Sequence, residues 1–174
     1  MFATQLCMAV VATLGMTSSQ NRLACNVMPS IVEESEKRGI DPVVFASLIF
    51  HESAFRSRVV SHAGACGLTQ VLPKYSDHTC EQLKKPKTAV REGAKALKYW
   101  LTRAKGDLRK ALCGYNAGNI CITRPGSPLS RRVKKRYSDS ILSLAEDIKA
   151  KAQDSFFEDY RFYNKVVDDD DITD

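Results

Sequence analysis

The chain has 174 residues, of which 44% are hydrophobic and 26% charged, and its formal net charge is +6. This balance is typical of one globular domain and excludes a collagen, a coiled coil and a wholly disordered chain. Its apolar runs are shorter than the roughly 20 residues that a helix needs to cross a bilayer, so we expect no transmembrane segment.

Charge is distributed unevenly along the chain. Residues 153–174 contain eight acidic and two basic side chains (net −6), whereas residues 1–152 contain 24 basic and 12 acidic ones (net +12). A basic body of this kind suits a polyanionic partner such as nucleic acid, a membrane surface or an anionic cell-wall polymer. We treat 153–174 as a separate acidic C-terminal tail, because so charged a stretch does not pack alone.

Residues 1–27 form the first predicted segment. The stretch 2–16 is apolar like the core of a secretory signal, but no Lys or Arg precedes it. A secretory signal normally begins with positive charge. We therefore expect a retained N-terminal helix here, with a signal sequence as the alternative.

Residues 28–152 form the predicted globular domain, and most of its segments have helical periodicity. Asp41 and Pro42 are typical of a helix N-cap and a first helical residue, and an apolar helical face follows them. Gly, Ser and Pro interrupt the periodicity over 56–73, where we expect a loop region or a minor β-hairpin. The predicted fold class is mostly α. The other predicted helices span 31–38, 87–105, the segment that starts at Asp107, and, after a Pro/Gly linker, 131–152.

The six cysteines are an even set that allows 15 disulfide connectivities. Two pairs close short loops, Cys66 with Cys80 and Cys113 with Cys121, which favours local disulfides in an oxidising compartment. Six reduced, buried thiols are the alternative. A zinc site is disfavoured because the spacing H-x3-C-x11-H-x-C lacks the paired CxxC of structural zinc sites. We predict no metal and no cofactor.

Glu52 is the residue that does not fit its helix. It lies seven residues after Phe45 and four after Leu48, so it shares the apolar face of the helix that follows Pro42. Burial disfavours a carboxylate and raises its pKa, which suits a general acid near neutral pH. The structural alternative is a glutamate at a frayed helix end that reaches water or pairs with Arg56.

Three ordered blocks resemble a known family. They are 52–55 (ESAF), 64–73 (GACGLTQVLP) and 114–119 (GYNAGN). They are similar to the Glu-Ser, Gly-Leu-Met-Gln and Ala-Tyr-Asn-Ala-Gly blocks of the soluble lytic transglycosylases and goose-type lysozymes. A fourth family block, a tyrosine followed by Val-x-x-Val-Leu, is weakly echoed over 137–142. The resemblance covers about residues 28–150.

The resemblance implies a lysozyme-like α fold that cleaves the β-1,4 bond between N-acetylmuramic acid and N-acetylglucosamine in peptidoglycan. Glu52 would protonate the departing glycosidic oxygen. The sequence departs mildly from the family pattern, since Thr69 replaces the usual Met and Gly114 an Ala. The next acid after Glu52 is Asp77, whereas hydrolytic relatives tend to place an aspartate near Leu72-Pro73. Its absence favours the route in which the substrate's acetamido oxygen assists and a 1,6-anhydro sugar forms.

The same resemblance implies a set of substrate-binding side chains. Ser53 and Gln70 would hydrogen-bond the glycan, and the Gly67-Leu68 backbone would let the chain approach the sugar closely. Tyr115 would orient Glu52 or the acetamido group. The full set of substrate-binding candidates is Ser53, Gly67, Leu68, Gln70, Tyr115, Asn116 and Tyr137.

The predicted partner is therefore the glycan strand of peptidoglycan, with virion, tail or secretion-complex proteins as further candidates. The basic run 131–136 lacks interleaved aromatic residues for base stacking, so we expect no nucleic-acid partner. Action on peptidoglycan implies an extracytoplasmic location, either a phage virion or the bacterial periplasm. The alternatives in function are a goose-type muramidase that hydrolyses the same bond, and a structural or assembly protein that keeps the fold.

Overall fold

The computed structural model describes residues 2–153, and it confirms the mostly α fold class. It also contains a 3-10 turn at Pro73–Tyr75 and a π-helical turn at Lys134–Ser138. The acidic tail after Gln153 lies outside the described residues. The helices, in chain order, are α1 Phe2–Thr13, α2 Ser18–Glu36, α3 Pro42–Ser53, α4 Cys80–Leu83, α5 Pro86–Arg103, α6 Leu108–Ala117, α7 Ile120–Thr123, α8 Pro128–Val133 and α9 139–153.

Helix α2 begins well before the predicted start at position 31 and runs through the predicted domain boundary at 28. Its N-cap is Thr17, whose side chain accepts from the backbone N–H of Gln20, while the Gln20 side chain accepts from the backbone N–H of Thr17. This reciprocal pair is a capping box, a sequence pattern that starts helices. The disulfide Cys7–Cys25 joins α1 to α2 with 5.0 Å between the two Cα atoms.

Helix α3 passes through the centre of the core. The Asp41 side chain caps it by accepting from the N–H groups of Val43 (2.8 Å) and Val44 (3.4 Å). Every residue over 43–49 is buried, and a helix that is apolar on all sides is one that other elements surround. The helix ends at Ser53, so Glu52 sits in its last turn, at the edge of the buried region.

The region 56–73 is a loop, as predicted, and does not form the β-hairpin that was the alternative. Cys66 makes isolated β-bridges to Val60 and Val71. The disulfide Cys66–Cys80 anchors it, with 5.5 Å between Cα atoms. Gly67 packs directly on α4, since a Cβ added there would lie 2.0 Å from the Leu83 carbonyl oxygen. Only glycine, which also accepts the φ of +75° found here, allows so close an approach.

The C-terminal part is more divided than the single predicted helix over 131–152. Ser127 caps α8, its side chain accepting from the N–H of Ser130 (3.2 Å), so the predicted linker is partly helical. The π-helical turn Lys134–Ser138 then leads into α9. The disulfide Cys113–Cys121 joins α6 to α7, with 5.8 Å between Cα atoms. None of the described helices combines the length and hydrophobicity needed to span a membrane.

Candidate active site

Glu52 and Tyr137 form the centre of the candidate site. The Tyr137 hydroxyl donates a hydrogen bond to Oε1 of Glu52, which joins the end of α3 to the π-helical turn. Only 6% of Tyr137 is exposed, and Glu52 is partly buried. The exposed His51 ring contacts Tyr137 edge-on, with 4.7 Å between ring centroids. The glutamate therefore has a fixed partner on its buried side, as a frayed helix end would not.

The surroundings of Glu52 hold its proton near neutral pH. Burial raises the pKa of this carboxyl, and the hydrogen bond from Tyr137 lowers it by stabilising the anion; the result is a pKa of about 7. A carboxylic acid with this pKa is partly protonated at pH 7 and exchanges its proton readily in both directions. The chemistry that it suits is acid catalysis followed by base catalysis.

The π-helical turn explains how Tyr137 reaches this place. A π turn inserts one extra residue into the helical register, so the side chains that follow point in a different direction from those of a continuous α-helix. Here the turn buries both Tyr137 and Ser138 and packs against α6. Turns of this kind occur frequently at functional sites.

Tyr115 lies on α6 beside the same carboxyl. Its hydroxyl donates to the backbone carbonyl of Thr69 at 2.7 Å, which links α6 to the glutamine block. Burial, with the nearby Glu52 charge adding to it, raises the pKa of Tyr115 well above its usual value. Thr69 itself is buried and donates its hydroxyl to the Ala89 carbonyl (2.8 Å). The structure thus brings Glu52, Tyr115 and Tyr137 together.

Gln70 holds the loop between α3 and α4. Its side-chain Nε2 donates to the carbonyls of Gly67 (2.8 Å) and Val59 (3.2 Å). Its backbone φ is +50°, a left-handed conformation that is uncommon outside glycine. Both contacts shape the loop that carries the glutamine block, and the predicted contact between Gln70 and the glycan stays a prediction.

The remaining candidates occupy different environments in the structure. Ser53 is 2% exposed and donates its hydroxyl to the Ile49 carbonyl of its own helix (3.2 Å). Leu68 is fully buried in the main core, and the close approach at Gly67 is to α4. Asn116 is exposed in the last turn of α6. Their predicted contacts with substrate stay predictions.

Another carboxylate, Glu92 on α5, is buried, with 6% exposed, and is held by cations. Lys95 Nζ lies 2.7 Å from its Oε1, and the hydroxyl of Ser76 donates to its Oε2 (3.2 Å). The Glu92 carboxylate therefore forms an ion pair with Lys95. Within residues 2–153 no three His, Cys, Asp or Glu side chains cluster as a metal site requires.

The comparison with protein families agrees with this arrangement. A family profile described as "Transglycosylase SLT domain" matches residues 29–137, more than half of the chain. The chain belongs to this family. The match begins inside α2 and ends at Tyr137, so the SLT domain contains the whole candidate site described above.

A solved structure shares the fold of this SLT domain. It is the X-ray structure of an inactive glutamate-to-glutamine mutant of the lytic transglycosylase Slt from Pseudomonas aeruginosa, with a TM-score of 0.64 and 23% sequence identity. The similarity covers 72% of this chain and 24% of that chain. This chain therefore spans about a quarter of the length of that protein.

Proposed function

We propose that this chain is a peptidoglycan lytic transglycosylase in which Glu52 acts first as general acid and then as general base. The observation that carries this proposal is the partly buried Glu52 carboxyl, which has a pKa of about 7 and accepts a hydrogen bond from Tyr137. Membership of the SLT family supports it. In the similar Slt structure, the inactive mutant replaces a glutamate by glutamine, which agrees with an essential carboxyl.

The proposed reaction has two steps. Glu52 first donates its proton to the glycosidic oxygen while the bond from that oxygen to the anomeric carbon breaks, and the acetamido carbonyl oxygen of the same sugar bonds to that carbon. The Glu52 carboxylate then takes the proton of the sugar's 6-hydroxyl. The 6-oxygen attacks the anomeric carbon and displaces the acetamido oxygen. Glu52 regains its proton, a 1,6-anhydro sugar forms, and no water is consumed.

The electrostatics around Glu52 support this route over hydrolysis. Hydrolytic glycosidases generally use a second carboxylate, about 5–10 Å away, as nucleophile or base. Among the described residues, burial and Tyr137 set the pKa of Glu52, and neither cause is a carboxylate. Glu92, a buried acid, is engaged by Lys95. An attacking group supplied by the substrate fits this arrangement.

The charge and the disulfides of the chain fit the proposed substrate and place of action. Peptidoglycan bears carboxylates on its peptide parts, and residues 1–152 carry a net charge of +12 that attracts such a polymer. Three disulfides are typical of proteins in oxidising compartments outside the cytoplasm. Both locations predicted from the sequence, a phage virion and the bacterial periplasm, meet this requirement.

Product masses test the proposal directly. Purified peptidoglycan is digested with the wild-type chain and with Glu52→Gln, and the released muropeptides are weighed by mass spectrometry. We expect wild-type products about 18 Da lighter than reducing-end products, because no water is added, and no products from Glu52→Gln. Reducing-end products would show a muramidase. No release by the wild type, or equal release by the variant, would remove Glu52 from its proposed role.

A further inference from the structure

The side chain of Gln20, on α2, reaches the end of the helix that carries Glu52. Its Nε2 donates to the backbone carbonyl of Ala54 at 2.8 Å, and its Oε1 accepts from the N–H of Thr17 at 2.8 Å. A backbone N–H only donates and a carbonyl only accepts, so the orientation of the amide is fixed chemically. Gln20 thus joins the start of α2 to the residue after Ser53.

The turn that Gln20 holds has an unfavourable backbone. Ala54 (φ +49°) and Phe55 (φ +55°) are consecutive non-glycine residues in the left-handed conformation. Such a conformation persists only where surrounding contacts hold it. Phe55 is held by burial in the core, at 1% exposure. The Ala54 carbonyl is held by Gln20, whose sequence position is 34 residues away.

We infer that Gln20 is a positioning residue for Glu52: by holding the left-handed turn at Ala54 it keeps the last turn of α3, and so the Glu52 carboxyl, against Tyr137. The inference rests on the proposed function of Glu52. It gives the segment before residue 29, which the SLT profile does not cover, a part in the active site. The disulfide Cys7–Cys25 supports this part by fixing α2 to α1.

Losing the Gln20 contact frees the Ala54 carbonyl and lets the end of α3 relax. Glu52 then turns toward water and away from its buried position. Since burial is the cause that raises the pKa of Glu52, this pKa falls from about 7 toward its ordinary value. Less of the acid form remains at neutral pH, and the basic limb of the kcat/KM profile moves to lower pH.

The test compares Gln20→Met with Thr17→Val. Gln20→Met removes the donor to Ala54 together with the acceptor for Thr17. Thr17→Val weakens the same N-cap of α2, because it removes both the acceptor for the Gln20 N–H and the hydroxyl that donates to Gln20 Oε1 (2.7 Å). It keeps the backbone N–H that donates to Gln20 Oε1 and the Nε2 donor to Ala54. Each purified chain is assayed on peptidoglycan across pH, its melting temperature is measured, and the Glu52 carboxyl is titrated by carbon-13 NMR, assigned with Glu52→Gln.

We expect both variants to lower the melting temperature. Only Gln20→Met should also lower kcat/KM, by roughly tenfold to a hundredfold, and move the Glu52 titration to lower pH. If the Glu52 carboxyl titrated at the same pH in both variants and in the wild type, the inference would be overturned. Gln20→Glu, which keeps an acceptor for Thr17 but has no donor for Ala54, must also lose kcat/KM; full activity there would overturn it too. An inactive wild type would refute the proposed function alone, because the NMR titration needs no turnover.

Discussion

The Tyr137 hydroxyl donates to the Glu52 carboxyl from a position 85 residues further along the chain. This bond and the burial of the carboxyl act on the proton in opposite directions. Burial favours the neutral acid, the hydrogen bond favours the anion, and together they give a pKa of about 7. A catalyst that must donate a proton and then take one back needs this balance, because a strong preference for either form would slow one step.

Tyr137→Phe tests the balance by removing the hydroxyl while keeping the ring. Without the donor, burial acts alone and the pKa of Glu52 rises above about 7, by roughly one unit. The basic limb of the pH profile of kcat/KM should therefore move to higher pH, which is the measurement. Tyr115→Phe is the matched control, since its hydroxyl donates to the Thr69 carbonyl and not to Glu52. A downward shift in Tyr137→Phe would show that the ring had stopped shielding the carboxyl.

The raised pKa of Glu52 also predicts how stability depends on pH. The folded chain holds this proton more tightly (pKa about 7) than the unfolded chain (4.5). The stabilisation is thus complete below pH 4.5 and is lost as pH rises through 7. Glu52→Gln lacks the buried anion, so at pH 8 its free energy of unfolding should exceed that of the wild type by about 3 kcal/mol. At pH 4 the two should be nearly equal.

Denaturant unfolding at several pH values, with the disulfides intact, measures this difference. Glu81→Gln is a control in which the pH dependence of the stability difference has the opposite sign. Glu81 is exposed, and its hydrogen bond and ion pair with Lys84 lower its pKa, so that its contribution is present above pH 4.5 and lost as pH falls. If Glu52→Gln were no more stable than the wild type at pH 8, the Glu52 carboxyl would not be a buried group with a raised pKa.

The position of Glu52 was predictable because it depends on local periodicity. Spacings of seven and four residues from Phe45 and Leu48 put it on the apolar face of one regular helix, which Asp41 and Pro42 start. The fold class was predictable for the same reason. The start of α2 was missed, although Thr17 and the glutamine three residues later form a capping box that marks it.

Other features of the site depend on contacts that local patterns do not encode. The π turn at Lys134–Ser138 breaks the 3.6-residue period, so periodicity predicts one continuous helix there and cannot orient Tyr137. The family resemblance, not the helical pattern, brought Tyr137 into the candidate set. The bond from Gln20 to Ala54 joins two segments whose packing is known only after folding. The predicted approach of Gly67 to a sugar stays a prediction; its neighbour within the fold, which no local pattern indicated, is Leu83.

That neighbour makes Gly67→Ala a sharp test of the loop packing. A Cβ at Gly67 would lie 2.0 Å from the Leu83 carbonyl oxygen, a backbone atom that cannot move alone, whereas a Cβ at Gly64 would meet nothing within 4 Å. Both glycines have positive φ, +75° and +82°, so both substitutions carry a conformational cost of about 1 kcal/mol. We expect Gly67→Ala to lose a further 1–3 kcal/mol of unfolding free energy, roughly the cost of overpacking. Equal losses in urea unfolding would show that the loop does not pack on α4.

Gly114 and Trp100 provide a test of packing beneath the tyrosine block. A Cβ at Gly114 would lie 2.5 Å from Cε3 of the Trp100 ring, closer than any real contact, so Gly114→Ala forces a rigid indole to move. The expected loss is about 1–3 kcal/mol of unfolding free energy, although alanine is about 1 kcal/mol better than glycine inside a helix. In a Trp100→Leu background the indole ring is absent, so only the higher helix propensity of alanine acts. Gly114→Ala should then raise the free energy of unfolding by up to about 1 kcal/mol. Urea unfolding is measured for the wild type, both single variants and the double variant. A clash between the Cβ and the indole predicts a coupling energy of about 2 kcal/mol between the two substitutions. Additive effects would show that the glycine is there for another reason.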